Sequence, residues 1–247
     1  MVNIIKWMLG LAKAQLCLLL IFSFAAVGGE TIKLGNGIRE SIYATGKSTV
    51  EIHQSHCLYS MLLLKGQRLR FNTPDVVFLE SKSNEKIKDW PYLSQAETSF
   101  GYSWSFKKKS GLNSKWFGLM CDNAKYFDFE PAFENQLSSD SPELQQIKND
   151  NAFKCPGALS EAGWRPTEKA GAANSYVFEE IKNENLSGFI VGYKNKDTPT
   201  FGRVTFCLIK GESVLLGSAE NAPEPLSISA KTFSELKRVA SGIVFLN

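Results

Sequence analysis

Short runs of apolar residues, many of them alternating with polar ones, recur along the chain and predict a fold rich in β-strands. The runs are dominated by aromatic and β-branched residues, which favour strands. Glycine, proline and polar residues separate neighbouring runs. Strands joined by short connections pair antiparallel, because a parallel neighbour needs a long crossover. The predicted strands are residues 48–52, 58–64, 76–80, 101–107, 116–121, 176–181, 188–194, 202–209 and 212–216.

Two segments instead repeat their apolar residues at helical spacing. The first begins within residues 140–143, where a capping side chain, a first-turn proline and an acid at the positive helix end occur together. The second begins at Ser229 or Thr232 and ends near Gly242, before a short closing strand at 243–245. The sequence therefore predicts an α+β fold of antiparallel sheets, each with one packed helix.

The N-terminal residues have the features of an export signal. Lys6 and Lys13 provide positive charge, an apolar run covers residues 16–27, and small residues follow where a signal peptidase could cut. The apolar run is shorter than the roughly 20 residues that a membrane-spanning helix needs. We therefore predict a signal peptide at residues 1–29, no transmembrane span after cleavage, and a mature protein that is periplasmic or secreted. An uncleaved anchor is the alternative.

Four of the five cysteines, Cys57, Cys121, Cys155 and Cys207, follow the predicted signal peptide. An even number of cysteines in an exported protein favours disulfide bonds. No two of them have the C-x-x-C spacing of zinc ribbons or thioredoxin-type sites. Bridges between the first two and between the last two would close long loops. Each would add about 3–4 kcal/mol of stability on the chain-entropy model.

The order of elements suggests an internal duplication. Residues 30–153 and 154–247 each contain a first cysteine, a strand ending in a polar or basic turn, a strand with the second cysteine, a helix and a final phenylalanine. On this interpretation they are two tandem, similar units, each stapled by its own disulfide, Cys57–Cys121 or Cys155–Cys207. One continuous domain, or crossed pairing of the cysteines, is the alternative.

The charge and the motifs of the chain mainly exclude certain classes of function. The formal net charge of +3 falls to +1 without Lys6 and Lys13, which is too low for the basic surface of a nucleic-acid-binding protein. The chain has no complete phosphate-binding loop and no G-x-S-x-G nucleophile elbow, so we expect no cofactor. We predict an exported, non-enzymatic binding protein, such as an inhibitor, an immunity-type protector or an envelope accessory factor. Its expected partner is another protein or an envelope component.

Two other functions stay open. An envelope hydrolase could use carboxylates among Asp128, Glu130, Glu179 and Glu180, since the spacing of catalytic acids is spatial rather than sequential. A metal-handling protein could use His53 and His56, the only histidines. Residues three apart fall on opposite faces of a strand, however, and oxidation of the neighbouring cysteine would remove a further ligand.

The predicted strand at 101–107 and the basic turn after it form a candidate contact surface. Alternation along the strand places Tyr102 and Trp104 on one face, where an exposed part would bind a partner and a covered part would join the core. The turn contains Lys107, Lys108 and Lys109, which we interpret as a solvated hairpin tip able to contact an acidic partner.

Overall fold

Antiparallel β-sheet dominates the structure, a computed structural model that describes residues 31–72, 75–81, 90–98, 101–109, 115–129, 140–221 and 224–246. The predicted signal peptide, 1–29, lies outside the described residues. The strands of the described residues are β1 (Thr31–Leu34), β2 (Tyr43–Thr45), β3 (Ser48–Gln54), β4 (Cys57–Leu63), β5 (Gln67–Asn72), β6 (Val76–Ser81), β7 (Tyr92–Thr98), β8 (Gly101–Lys107), β9 (Lys115–Asn123), β10 (Gly157–Ser160), β11 (Gly163–Pro166), β12 (Tyr176–Lys182), β13 (Ser187–Lys194), β14 (Phe201–Lys210), β15 (Ser213–Glu220) and β16 (Val244–Phe245). Their helices are α1 (Pro142–Ala152) and α2 (Ala230–Ser241).

An eight-stranded antiparallel sheet, here called the large sheet, forms the centre of the described part of the chain. Its strand order is β12-β13-β14-β15-β9-β6-β5-β2. A four-stranded sheet, here called the small sheet, has the order β1-β3-β4-β16, with β1 parallel to β3. The hairpins β7–β8 and β10–β11 form separate two-stranded sheets. The predicted class, α+β with several sheets, is therefore confirmed, as are the predicted strands and both helices.

The large sheet is covered on both faces, which explains its nearly continuous apolar strands. Ile190, Phe206 and Leu215 belong to a core shared with the small sheet and α2, here called the inner core. The alternate residues Phe189 and Leu216 belong to a second core on the opposite face, here called the aromatic core. Successive side chains of a strand point to opposite faces, so a strand between two cores needs apolar residues at both sets of positions.

One disulfide lies on each face of the large sheet. Cys57–Cys121 joins β4 of the small sheet to β9 of the large sheet, next to the inner core. Cys155–Cys207 joins the segment after α1 to β14 and lies within the aromatic core. This is the pairing that the sequence predicted. Each bridge therefore ties a covering layer to the sheet that the layer covers.

The tandem arrangement is not confirmed. The large sheet crosses the predicted boundary at 153/154, because β15 pairs with β9, and the C-terminal β16 pairs with β4. The proposed equivalent strands also differ in their partners: β8 pairs with β7 in a separate two-stranded sheet, whereas β13 pairs with both β12 and β14. The duplication is therefore still a prediction, and the two halves share one sheet rather than forming separate ones.

The helices begin where the sequence places them but differ in how they pack. Ser141 and Ser229 accept hydrogen bonds from the amides of Leu144 and Thr232, each at 3.2 Å, as N-cap residues do. The helix α2 buries Phe233 and other residues in the inner core, whereas α1 has no buried residue. The expectation of one packed helix for each sheet therefore holds only for α2. Neither helix in the described residues is long and apolar enough to span a membrane.

A buried charge cluster connects the β7–β8 hairpin to the large sheet. Glu80 and Lys108 are fully buried and form an ion pair, and Arg68 also donates to Glu80, with its Nε 3.1 Å from the carboxylate. Nearby, Phe106 packs edge-on against Phe78. The sequence predicts a solvated hairpin tip at residues 107–109. This prediction is wrong for Lys108, because the ammonium group of Lys108 is buried in an ion pair with the carboxylate of Glu80.

We expect Lys108→Ala to lower the free energy of unfolding by about 3 kcal/mol, since the buried carboxylate of Glu80 loses one of its two cationic partners and keeps only Arg68. The neighbouring Lys109 is exposed, so Lys109→Ala should change stability by less than about 0.5 kcal/mol. Urea unfolding of both variants measures the difference. Equal stability of the two variants would contradict the role assigned to Lys108.

Candidate functional site

The β3–β4 hairpin carries both histidines of the chain and one cysteine of a disulfide. Gln54 and Cys57 pair across its turn, so the chain reverses over Ser55 and His56, and Ser55 has a φ of 50°. Such a short turn keeps its residues close to the ends of the two strands. The hairpin tip therefore has a defined position, on which the geometry of the site depends.

A buried amide fixes the hairpin tip against the large sheet. The Nε2 of Gln54 donates to the carbonyl oxygens of Asp75 and Leu119, both at 2.8 Å. The hydroxyl of Tyr59 donates to the Oε1 of Gln54 at 2.7 Å. Since these hydrogen bonds satisfy both ends of the amide, its burial is compensated. The bonds hold the tip to β9 and to the turn that precedes β6.

His56 lies against the Cys57–Cys121 disulfide at this tip. Its Nε2 and Nδ1 atoms are 3.6 Å and 3.7 Å from the Sγ of Cys121. Cys57 is buried, whereas Cys121 is only half-buried, so the second sulfur has the better access to solvent. The imidazole also borders an open pocket of about 380 Å³. Its lining residues are His56, Lys210, Gly211, Glu212, Ser213 and Phe245.

Two aspartates with shifted pKa values lie near His56. Burial raises the pKa of Asp75, and the backbone amide of Ser55 and the charge of His56 oppose that shift. Burial also raises the pKa of Asp122, again opposed by His56. Both carboxyl groups hold their protons more tightly than ordinary aspartates do. The hairpin tip thus combines an imidazole, a disulfide and two partly desolvated carboxyl groups.

His53 belongs to a different cluster, on the outward face of the small sheet. Its Nδ1 is 2.5 Å from the Oε1 of Glu40, and its Nε2 is 3.0 Å from the Oε1 of Glu51. Lys33 extends the cluster, with its Nζ 3.4 Å from Glu51. The hydrogen bond from His53 lowers the pKa of Glu51. Because the amide of Gly37 also donates to Glu40, at 2.6 Å, the cluster ties the loop after β1 to β3.

The two predicted metal ligands therefore have different neighbours. Both nitrogens of His53 contact carboxylates, whereas His56 contacts a sulfur atom. Within the described ranges, the group whose ligand atoms have the spacing of a metal site consists of His56, Cys57 and Cys121, with all ligand atoms within 4.8 Å of one another. In the disulfide state its sulfur atoms are bonded to each other, so they are not thiolate ligands.

The predicted contact residues on and after β8 have mixed surroundings. Trp104 is half-buried beneath Lys154, whose Nζ is 4.8 Å from the centre of the indole ring. Lys107 is half-buried and Lys109 is exposed. The side chain of Tyr102 lies outside the described part of the chain. Lys107 and Lys109 therefore stay the accessible members of this predicted surface.

Two of the carboxylates considered for hydrolysis form ion pairs, and the amide of Trp164 donates to the Oε1 of a third, Glu180, at 3.4 Å. Glu179 pairs with Lys237 at 2.6 Å, and Asp128 pairs with Lys148 at 3.0 Å. Glu130 lies outside the described residues. The ion pairs explain Glu179 and Asp128 as partners of lysines on the helices.

Four residues of these clusters were not predicted from the sequence: Glu40, Gln54, Asp75 and Asp122. For Gln54 a signal existed, because alternation along β3 places it on the same face as the buried Val50 and Ile52. A polar residue at such a position needs buried hydrogen-bond partners. The acids carry no comparable local signal, since their neighbours come from distant strands and loops.

The chain matches no protein-family model, no curated protein and no solved structure.

We expect the His53→Ala variant to raise the pKa of Glu51, because the hydrogen bond from His53 is the largest cause of its lowering. Lys33→Met should raise it less. The folded-state pKa of Glu51 lies below its ordinary value. The contact with His53 therefore stabilises the fold at pH values above the ordinary pKa, and this contribution is lost as the pH falls through the folded-state pKa. Carboxyl ¹³C titration by NMR measures the shifts, and an unchanged titration in His53→Ala would contradict this role.

Proposed function

We propose that the mature protein is an exported, non-enzymatic binding protein that acts through protein–protein contact. An inhibitor, an immunity-type protector and an envelope accessory factor all fit this description. The observation that carries the proposal is an exposed, partly apolar sheet face with charged residues along one side, here called the outer face. It consists of the outward-pointing residues of β3, β4 and β16 and of the residue after β16.

The outer face follows from the register of the small sheet. On β4, Leu58, Ser60 and Leu62 alternate with buried residues, so they point away from the inner core. Val244 of β16 lies opposite Ser60, and the amide of Leu246 donates to the carbonyl of Leu58 at 2.9 Å. These leucines and Val244 therefore lie on one sheet surface, with Ser60 between Leu58 and Leu62.

The exposure and flanking charges of the outer face suit a protein partner. Leu62 is 56% exposed and Leu246 is 45% exposed, although both are large apolar side chains. His53 and Glu51, which pair with Leu58 and Ser60 in the register, bring charge to the β3 side. An apolar centre with a polar rim is the usual composition of a protein interface. We infer a partner that presents apolar side chains to this face and polar groups to its rim.

Export is proposed on two grounds. The signal-like segment at 1–29 predicts transport out of the cytoplasm. Disulfides persist in oxidising compartments, and the chain contains two, Cys57–Cys121 and Cys155–Cys207. We therefore place the mature protein in the periplasm or outside the cell. We likewise propose that residues 30–153 and 154–247 are related units, supported by the confinement of each disulfide to one of them.

An envelope hydrolase is the second candidate, and one observation favours it. The raised pKa values of Asp75 and Asp122 occur beside His56, which borders the pocket at the hairpin tip. A carboxyl group that keeps its proton can act as a general acid. Turnover of a cell-wall polymer by the purified protein, lost in Asp122→Asn, would assign this activity instead.

Affinity capture of the mature protein from its own cell envelope tests the binding proposal. We expect one stoichiometric protein partner, whose capture is lost with Leu62→Asp or Leu246→Asp because a charge would be desolvated in the interface. Leu159→Asp is the matched control, because Leu159 is also 45% exposed but lies on β10.

The result also distinguishes two surfaces. In the other case, both outer-face variants still capture the partner, whereas Lys107→Glu and Lys109→Glu lose it. That result would assign the interface to the basic turn after β8 instead of the outer face. Capture that is equally affected by Leu159→Asp, or that recovers no partner, would contradict the binding proposal itself.

A further inference from the structure

We propose that His56, Cys57 and Cys121 form a redox-controlled zinc site. In this proposal the disulfide blocks the site, and its reduction by a dithiol releases two thiolate ligands next to an imidazole that already lies at ligand distance from one of them. The inference goes beyond the proposed binding function, because it concerns the hairpin tip and does not involve the outer face.

The distance between the imidazole and the Cys121 sulfur matches zinc coordination, so only a rotation of the ring is needed to direct Nε2 at the ion. In a tetrahedral site with Zn–N of about 2.0–2.1 Å and Zn–S of about 2.3 Å, the nitrogen and sulfur ligands lie about 3.5 Å apart. The Nε2 of His56 is 3.6 Å from the Sγ of Cys121 in the disulfide state. The nitrogen–sulfur distance therefore needs almost no change. The two sulfur atoms must move from bonding distance to about 3.8 Å, the separation across a tetrahedral zinc ion.

The local structure allows that movement. Cys57 is the first residue of β4 and directly follows the turn, whereas Cys121 lies in β9 with a half-buried side chain. A rotation of the Cys121 side chain separates the sulfur atoms without breaking the pairing of either strand. The hydrogen bonds of Gln54 continue to hold the hairpin tip to β9, because they involve neither cysteine.

Access to solvent distinguishes this disulfide from the second one. The thiolate of a dithiol attacks an accessible sulfur, here Cys121 Sγ, and Cys57 leaves as a thiolate. The second thiol of the reagent then releases Cys121 and closes a cyclic disulfide. Two electrons and two protons pass from the reagent to the protein. Cys155 and Cys207, by contrast, are 4% and 0% exposed, so the same reagent reaches them more slowly.

Zinc binding then displaces the two thiol protons and leaves a neutral site. Two thiolates balance the charge of Zn²⁺, and the uncharged imidazole of His56 supplies the third ligand. His56 also borders an open pocket, through which water can reach the fourth position. The second disulfide has no comparable set, since no other group of described residues has the spacing of a metal site.

Cobalt titration of the full mature chain tests the proposal. The protein is reduced with dithiothreitol under native conditions, freed of reagent without oxygen, and titrated with Co²⁺ and then Zn²⁺. We expect thiolate-to-cobalt charge-transfer bands with one ion per reduced chain and none in the oxidised chain. His56→Ala should weaken zinc binding by about a hundredfold or more, because loss even of the partners of metal ligands costs 10–100-fold.

Three controls separate this site from its alternatives. His53→Ala should bind zinc like the parent chain, and a chain with both Cys155→Ala and Cys207→Ala should keep the charge-transfer bands. Cys121→Ser should lose them. The near-ultraviolet circular dichroism of the reduced, zinc-bound chain should match that of the oxidised chain.

Equal affinity in His56→Ala, or bands that depend on Cys155 and Cys207 instead, would overturn the proposal. So would reduction that unfolds the chain without recovery on addition of Zn²⁺, because the site requires the folded hairpin tip.

Discussion

Burial of the large sheet on both faces is the constraint on which the rest of the structure depends. Strands β13 to β15 present apolar residues in both directions, so each face needs its own covering layer. The small sheet and α2 cover one face, and the β7–β8 hairpin, the β10–β11 hairpin and the segment after α1 contribute to the other. One disulfide secures a layer on each face. The fold is therefore a sheet between two layers rather than two separate sheets.

The same constraint explains the buried charges. Where β6 passes beneath the β7–β8 hairpin, Glu80 occupies a position that the covering layer removes from water. Arg68 on the neighbouring strand β5 and Lys108, directly after β8, compensate it. Removing one partner is costly because a charge without a counter-ion is strongly disfavoured in the interior. The basic run after β8 thus has a structural member, Lys108, between two residues that stay more accessible.

The hairpin tip combines rigidity with chemical reactivity. Gln54 anchors it to β9, while His56 lies between the half-buried Cys121 and an open pocket. The outer face lies on the same hairpin, so the two candidate functions occupy neighbouring but distinct surfaces of the small sheet. The tip offers polar and sulfur ligands, and the outer face offers apolar contact. Each can be altered by substitutions that leave the other unchanged.

The sequence by itself determined the local elements, whereas it left the disulfide pairing open between the pairs of the duplication hypothesis and crossed pairs. Alternation, helical spacing and the caps at Ser141 and Ser229 are properties of adjacent residues, so the main strands and both helices could be predicted from them. Strands β1, β2, β5, β7, β10 and β11 could not, because they are short or polar and depend on their neighbours for pairing. Only the tertiary structure decided that Lys108 is buried, that His53 and His56 belong to different clusters, and that Asp75 and Asp122 lie near an imidazole. Those properties depend on contacts between residues far apart in the chain, and local sequence patterns contain no record of such distances.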